Sequence, residues 1–218
     1  MRGSGRLGRL VAAGLSLVSA SALAGDDWNQ VMQDGQTTVW TRSVPGSRVK
    51  EVKAAGTIDA PPAAVFAVIR DFAHYADIMP YTTKETKVLE TSADGKNVWY
   101  YTVVDAPIVS KRDHTLKVTI DKIAENGDGI YRLSWASAND HPKAPPPRDG
   151  YVRLNNTKGS WELKPYDGNK TYAVYYVNTD PGGSLPVFVI NKANTEAVPK
   201  VLEALRKWSK RPPYSEAK

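Results

Sequence analysis

The chain of 218 residues contains no cysteine. That excludes a disulfide framework, a thiol nucleophile and a thiolate metal site in one step. Histidine is nearly as scarce: His74, His114 and His141 lie far apart, with no i, i+4 pair able to grip zinc. No metal and no cofactor are therefore expected. No apolar run reaches the about 20 residues that a membrane-spanning helix requires. The formal net charge is only +6, and its lysines and arginines are dispersed, which argues against the clustered basic stripe of a nucleic-acid binder. Phenylalanine is rare at three, against six tryptophans and eleven tyrosines. The aromatic content is thus dominated by rings that carry a polar handle.

The first residues read as an export signal. Met1 to Arg9 holds Arg2, Arg6 and Arg9 and no acid, Leu10 to Ala20 is apolar, and Ala22-Leu23-Ala24 has the small-residue form of a cleavage site. Residues 1–24 are expected to be a signal peptide, cut between Ala24 and Gly25. No cysteine follows to take a lipid anchor, so the mature protein is expected free in the periplasm or outside the cell. Losing three arginines lowers its charge further. One domain over 25–212 is expected, with 213–218 a disordered tail.

The patterning of the remainder alternates between two periods. Asp27 to Asp34 reads as a short opening helix, then Thr37–Val44 and Val49–Ile58 as strands around the Pro45-Gly46 turn. Pro61-Pro62 precedes an Ala/Val/Ile run, Ala63 to Asp71, whose Ala64, Val65, Val68 and Ile69 recur at helical spacing. Six further strands are expected at about Thr82–Leu89, Asn97–Asp105, Asp113–Ile123, Ile130–Ala136, Val152–Leu163 and Thr171–Thr179. Turns such as Asp94-Gly95 and Asp167-Gly168 separate them. His141 to Asp149 carries Pro142, Pro145, Pro146 and Pro147 and must be irregular. The longest helix closes the chain from Pro186 to about Ser209. Val187, Ile190, Val198, Val201 and Leu205 mark one face of it, and a kink is expected at Pro199. Strands, a short helix, a meander and one long helix make an α+β domain.

Several stretches, in this order, resemble bacterial START lipid-transfer domains of the helix-grip superfamily. They are Ile58-Asp59-Ala60-Pro61 with Val65-Phe66, Asp71-Phe72 and Met79-Pro80; Ser110-Lys111-Arg112-Asp113; Gly150-Tyr151-Val152-Arg153; Gly159-Ser160-Trp161 with Lys164-Pro165; and Asp180 to Pro186 leading into Asn191. The resemblance implies a curved antiparallel sheet wrapped around the long C-terminal helix, enclosing an apolar cavity for one lipid. In several sterol-binding members an acid and an arginine face each other inside. The corresponding places here fall near Trp99 and Val118, so that charge pair is absent.

Alternation along the strands supplies candidate cavity residues. Trp99, Tyr101 and Val103 alternate on one strand, and Leu116, Val118 and Ile120 on the next. Tyr131, Leu133 and Trp135 do so on a third, and Ala173, Tyr175 and Val177 near the end. From these the cavity set is Trp99, Tyr101, Val103, Leu116, Val118, Trp135 and Tyr175, closed by Val187, Ile190 and Asn191. Ile108 and Val109 form an apolar loop tip, and Phe188 lies in the first turn of the last helix; together they are expected to gate it. Arg112 and Asp113, being adjacent, point to opposite faces and are expected to anchor loops, while Asp71, closing a helix next to Phe72, is expected to be structural. Arg153, beside Tyr151, is open to a loop-anchoring or a head-group role.

Two functions remain from different classes. One is a monomeric, non-enzymatic carrier or sensor that holds a phospholipid, sterol or hopanoid-like lipid, contacts a membrane transiently and binds no nucleic acid. The other is a polyketide cyclase or aromatase-like enzyme on the same fold. His114, at a strand start where solvent is expected, is the one decent acid–base candidate for the second.

Overall fold

The computed structural model describes residues 27–105, 110–124 and 129–217. The expected signal peptide and the gate residues Ile108 and Val109 lie outside these. Among the described residues ten strands form one antiparallel-dominated sheet. Nine of them run in the order β1 (Asn29–Asp34), β2 (Thr37–Arg42), β3 (Glu51–Ile58), β10 (Lys170–Thr179), β9 (Thr157–Tyr166), β7 (Tyr131–Ser137), β6 (Arg112–Ile123), β5 (Asn97–Val104) and β4 (Glu85–Thr91). The short β8 (Val152–Arg153) runs parallel to the start of β6. Register shifts at Gln30/Met32, Val88/Glu90 and Ile120/Lys122 mark bulges, which add twist and let so wide a sheet curl.

Three helices lie inside the curl or at its end: α1 (Pro62–Arg70), the single turn α2 (Tyr75–Ile78) and α3 (Val187–Trp208). Pro62 starts α1, where its missing N–H costs nothing, and Ala64, Val65, Phe66, Val68 and Ile69 are all buried. With 22 residues α3 spans about 33 Å and runs unbroken through Pro199. Its C-terminal half buries Val198, Val201, Leu202 and Leu205. Arg206 ties that half to the sheet, donating to Thr57 O at 3.0 Å, Gln36 O at 3.0 Å and Thr37 Oγ1 at 2.8 Å. Among the described residues no helix is long and apolar enough to cross a membrane.

Four sequence expectations are corrected. The opening segment is a strand: Asn29–Asp34 pairs with β2 around Gly35, whose φ of +50° suits a hairpin turn. It had no apolar helical stripe to bury. The expected strand Val152–Leu163 is two strands, because Leu154 to Asn156 carries the chain from β6 across to β9. Asn139 holds that crossing, donating Nδ2 to Leu154 O at 2.7 Å. The expected tail is ordered through its described part: Tyr214–Glu216 forms a 3₁₀ turn, and Tyr214 is buried. Its hydroxyl donates to Asp71 Oδ2 at 2.6 Å, while Asp71 Oδ1 meets His74 Nδ1 at 2.7 Å. The fourth correction is one of phase. In the β5–β6 register Val98 faces Val118, Tyr100 faces Leu116 and Thr102 faces His114, all on the concave side. Trp99, Tyr101 and Val103 therefore lie on the outer face.

The outer face of β5–β6 is covered by the proline-rich loop. Trp99 stacks on His141 at 5.2 Å, and Lys117 Nζ lies 5.3 Å from its ring centre. The loop is held down by a buried ion pair. Asp113 is fully buried and accepts from Arg153 Nε at 2.8 Å, Arg153 Nη2 at 3.0 Å and Tyr101 Oη at 2.8 Å. The same Nη2 of Arg153 also reaches Pro145 O and Pro146 O at 3.1 and 3.0 Å. Arg153 thus anchors the loop and faces away from the concave side. Removing one partner of such a pair strands a buried charge, so Asp113→Ala should lower unfolding stability by about 3–5 kcal/mol in urea titration. A loss under about 1 kcal/mol would mean that the pair does not hold the loop.

Candidate functional site

The concave side divides into a packed end and an open end. At the packed end α1, α2 and the 3₁₀ turn Phe72–His74 fill the curl. Phe66 meets Tyr131 at 4.6 Å, Phe72 stacks on Tyr100 at 5.0 Å, and Tyr75 packs edge-on against Tyr100 at 5.9 Å. Tyr75 donates its hydroxyl to Ile69 O. Burial pushes the Tyr75 and Tyr100 hydroxyls well above the ordinary phenol range, as expected where water is excluded.

At the open end the floor is aromatic. The register places Trp135 opposite Val118 and across from Gly159, and Tyr175 opposite Trp161 and Ala54. Trp135 stacks on Tyr175 at 5.7 Å, and Tyr175 meets Trp161 at 4.5 Å. A Cβ at Gly159 would run into the Trp135 ring and the Tyr176 carbonyl. Glycine there lets the indole lie flat across the β9 backbone. Trp161 is 4% exposed, whereas Trp135, Tyr175 and Val177 keep accessible surface. Tyr175 is the informative one: desolvation pushes its hydroxyl far up, as for a group remote from bulk water, yet its side chain is only part-buried. Accessible surface at depth is the mark of internal space.

β10 ends at Thr179, and the chain passes through 180–186 into the N-terminal half of α3. There Ile190 is 2% exposed and Asn191 part-buried. Val187, expected inside, is 43% exposed and sits at the rim because it belongs to the first turn, beyond the sheet's cover. Phe188 is 72% exposed and faces away from the interior. Gly182 and Gly183, just before the helix, take φ of +62° and +67°, and Arg48 donates to Gly183 O at 3.0 Å.

Polar groups complete the open end. Arg112 and His114 share the inward face of β6 with Leu116 and Val118. Arg112 anchors loops, donating Nε to Pro181 O at 3.3 Å and Nη1 to Ser110 O. His114, expected in solvent, is 5% exposed, and desolvation lowers its pKa to about 4. Its Nδ1 is buried without a hydrogen-bond partner, as are Asn191 Oδ1 and Thr157 Oγ1. The structure brings Leu116, Val118, Trp135 and Tyr175 to the concave side, buries Ile190 and leaves Asn191 part-buried; Tyr100 is an inward group that sequence reading missed, and His114 is inward as its alternation implies but buried where solvent was expected. Among the described residues no group of three or more His, Asp or Glu could hold a metal ion.

A curved sheet gripping one long helix over an aromatic floor defines a START-type helix-grip domain. The chain belongs to the polyketide cyclase / dehydrase and lipid transport family, whose model matches residues 58–206. It is similar to an uncharacterized protein of Pseudomonas aeruginosa, 30% identical over 207 residues that cover 94% of this chain and 97% of that one. Phosphatidylcholine transfer protein of Rattus norvegicus is 26% identical over 187 residues, 85% of each chain. A STAR-related lipid transfer protein from Xanthomonas axonopodis superposes with a TM-score of 0.74 at 28% identity, covering 85% of this chain and 100% of that fragment.

Trp161 is the buried base on which the accessible rings rest. Trp161→Ala should cost about 3–5 kcal/mol in thermal or urea unfolding. A cost below about 1 kcal/mol would mean that the floor is not close-packed beneath Tyr175.

Proposed function

We propose that this protein is a non-enzymatic carrier or sensor that holds one hydrophobic lipid between the sheet and α3, acting in the cell envelope after export. The observation that carries the reading is the deep but accessible floor of Trp135, Tyr175 and Val177 on the concave side of the sheet. Transfer of lipid chain from water into such a space yields about 0.8 kcal/mol per CH₂, so an apolar interior can compete with a bilayer. The names of the rat and Xanthomonas relatives, both lipid transfer proteins, support the same reading. The purified mature protein should carry about one lipid per chain, read by mass spectrometry of an organic extract. An empty protein that also takes up nothing from a lipid panel would sink the proposal.

A carrier must touch a leaflet to load. The first turn of α3 offers Val187 and Phe188, 43% and 72% exposed, at the rim of the open end. We take this turn to be the part that enters the membrane interface, with Lys192 beside it drawn weakly to anionic head groups. Inserting one phenylalanine is worth about 1.5–3 kcal/mol. Phe188→Ser should therefore slow lipid transfer between vesicles about tenfold or more, while stability stays within about 0.5 kcal/mol because the ring packs on little. Unchanged transfer would remove this turn from the mechanism.

A further inference from the structure

A second space lies where the end of α3 meets the sheet. It is a cavity of about 340 Å³, the size of a small-molecule site. Its lining joins Arg206 and Lys210, at the end of α3, to Gln36 in the β1–β2 turn, Thr57 and Asp59 at the end of β3, and Lys170 at the start of β10. Arg206 is part-buried, and its Nε and Nη2 donate only to the neutral oxygens of Thr57, Gln36 and Thr37. Nη1 takes no part in these bonds. Among the described residues no carboxylate comes within ion-pair distance of this guanidinium. Desolvation holds its pKa below the usual value, and Glu203 and Asp34 offset that only from farther away. Gly56 admits the group, since a Cβ there would run into the Gln36 carbonyl and crowd Nη2. A desolvated cation held by neutral dipoles alone is costly, and an anion that joins it removes the cost.

We infer that this cavity binds a phosphomonoester, carried by a small soluble molecule or by a lipid head group, with Arg206, Lys170 and Lys210 as its cations. Both lysines act on Asp59, Lys210 through an ion pair at 2.9 Å and Lys170 through its field. That pair, and Lys170 with Asp167 at 3.1 Å, are exposed and worth little, so an arriving anion displaces them at small cost. A phosphomonoester carries about −1.5 to −2 charges at neutral pH, which balances three lining cations and one lining acid. A carboxylate or a phosphodiester, with one charge, leaves the site positive. The planar guanidinium suits phosphate oxygens. Tyr166 also lines the cavity, 48% exposed with Tyr172 at 6.2 Å, and offers a ring face to the body of the ester. Arg206 and Phe188 stand at opposite ends of α3, about 27 Å apart along its axis at 1.5 Å per residue. The site is therefore independent of the carrier reading, and its distance from the turn assigned to the membrane favours a soluble ester.

The test is calorimetric titration of the mature protein with phenyl phosphate, methyl phenyl phosphate, benzoate and inorganic phosphate, at about 0.15 M salt to screen loose surface attraction. Phenyl phosphate should bind one per chain, about tenfold or more tightly than the diester or benzoate. Lys170→Gln and Lys210→Gln, both exposed, should each weaken it about threefold or more with the fold retained. Asp59→Asn should tighten it, because Lys210 is released; a purely structural role would not give opposite signs at the two ends of one ion pair. Tyr166→Ala should weaken phenyl phosphate and leave inorganic phosphate unchanged. Arg206→Gln should abolish binding, and if that variant does not fold, the lysine and Asp59 variants carry the test. Co-sedimentation with phosphatidylcholine vesicles containing phosphatidic acid separates the sources. Sedimentation that phenyl phosphate competes away and Lys210→Gln abolishes assigns the site to a head group, and its absence beside calorimetric binding assigns a soluble ester. No binding of phenyl phosphate, equal binding of benzoate and the diester, or Lys210 and Asp59 variants with wild-type affinity would overturn the inference.

Discussion

The open half of this molecule depends on Asp113. A carboxylate that is fully buried must be paired, and Arg153 pairs it with both arms of its fork. That requirement fixes the pleat of β6: with Asp113 outward, Arg112, His114, Leu116 and Val118 must face inward. A slip of one residue would place the charge in the apolar interior and expose the apolar set, so the ion pair acts as a register lock. It also recruits the cover for the outer face, because Arg153 draws in the carbonyls of Pro145 and Pro146. Arg148 and Lys143 then fasten the same loop to the sheet edge through Glu85 at 2.8 Å and Glu90 at 2.9 Å.

Stability and ligand space are separated along the same grip. The aromatic cluster of Phe66, Phe72, Tyr75, Tyr100 and Tyr131 fills one end with close contacts, and the C-terminal half of α3 is packed and bonded there. A core that filled the whole concave face would be more stable and would hold nothing. The N-terminal half of α3 instead presents Ile190 and Asn191 inward and leaves Val187 and Phe188 outside. Motion at this end disturbs few of the contacts that hold the fold, which suits a surface that must admit a large apolar ligand.

Much of this was legible in the sequence because one face of most strands is unambiguous. On β6 the alternation of Leu116, Lys117, Val118, Thr119 and Ile120 allows one phase only, and the same holds for Tyr131 to Trp135. β5 defeats the method because Trp99, Tyr100 and Tyr101 are consecutive rings, so both phases look apolar. The outer phase is apolar because the proline loop covers it, and a loop's docking site is not written in local periodicity. The break between β8 and β9 was hidden for a related reason, since it reflects a change of neighbour rather than of residue type. Tyr214 is a single buried ring in a polar segment, and it is held by Asp71, 143 positions away in sequence. Alternation gives His114 its inward phase but not its burial: a strand end reads as solvent, and its 5% exposure comes from packing that local periodicity does not record.

The burial of His114 bears on the choice between carrier and enzyme. A general base works best with a pKa near the ambient pH, and imidazole is favoured because its ordinary value lies there. Desolvation takes His114 down to about 4, so it stays unprotonated at neutral pH yet gains little by accepting a proton. Asp113, the adjacent carboxylate, would raise it, but it points to the other face and is spent on Arg153. Among the described residues no other acid orients the ring as a third member of a relay would. What remains is a buried, neutral imidazole with one donor and one acceptor. The same burial that weakens it as a base makes its unmet hydrogen bond costly, because water cannot replace it there.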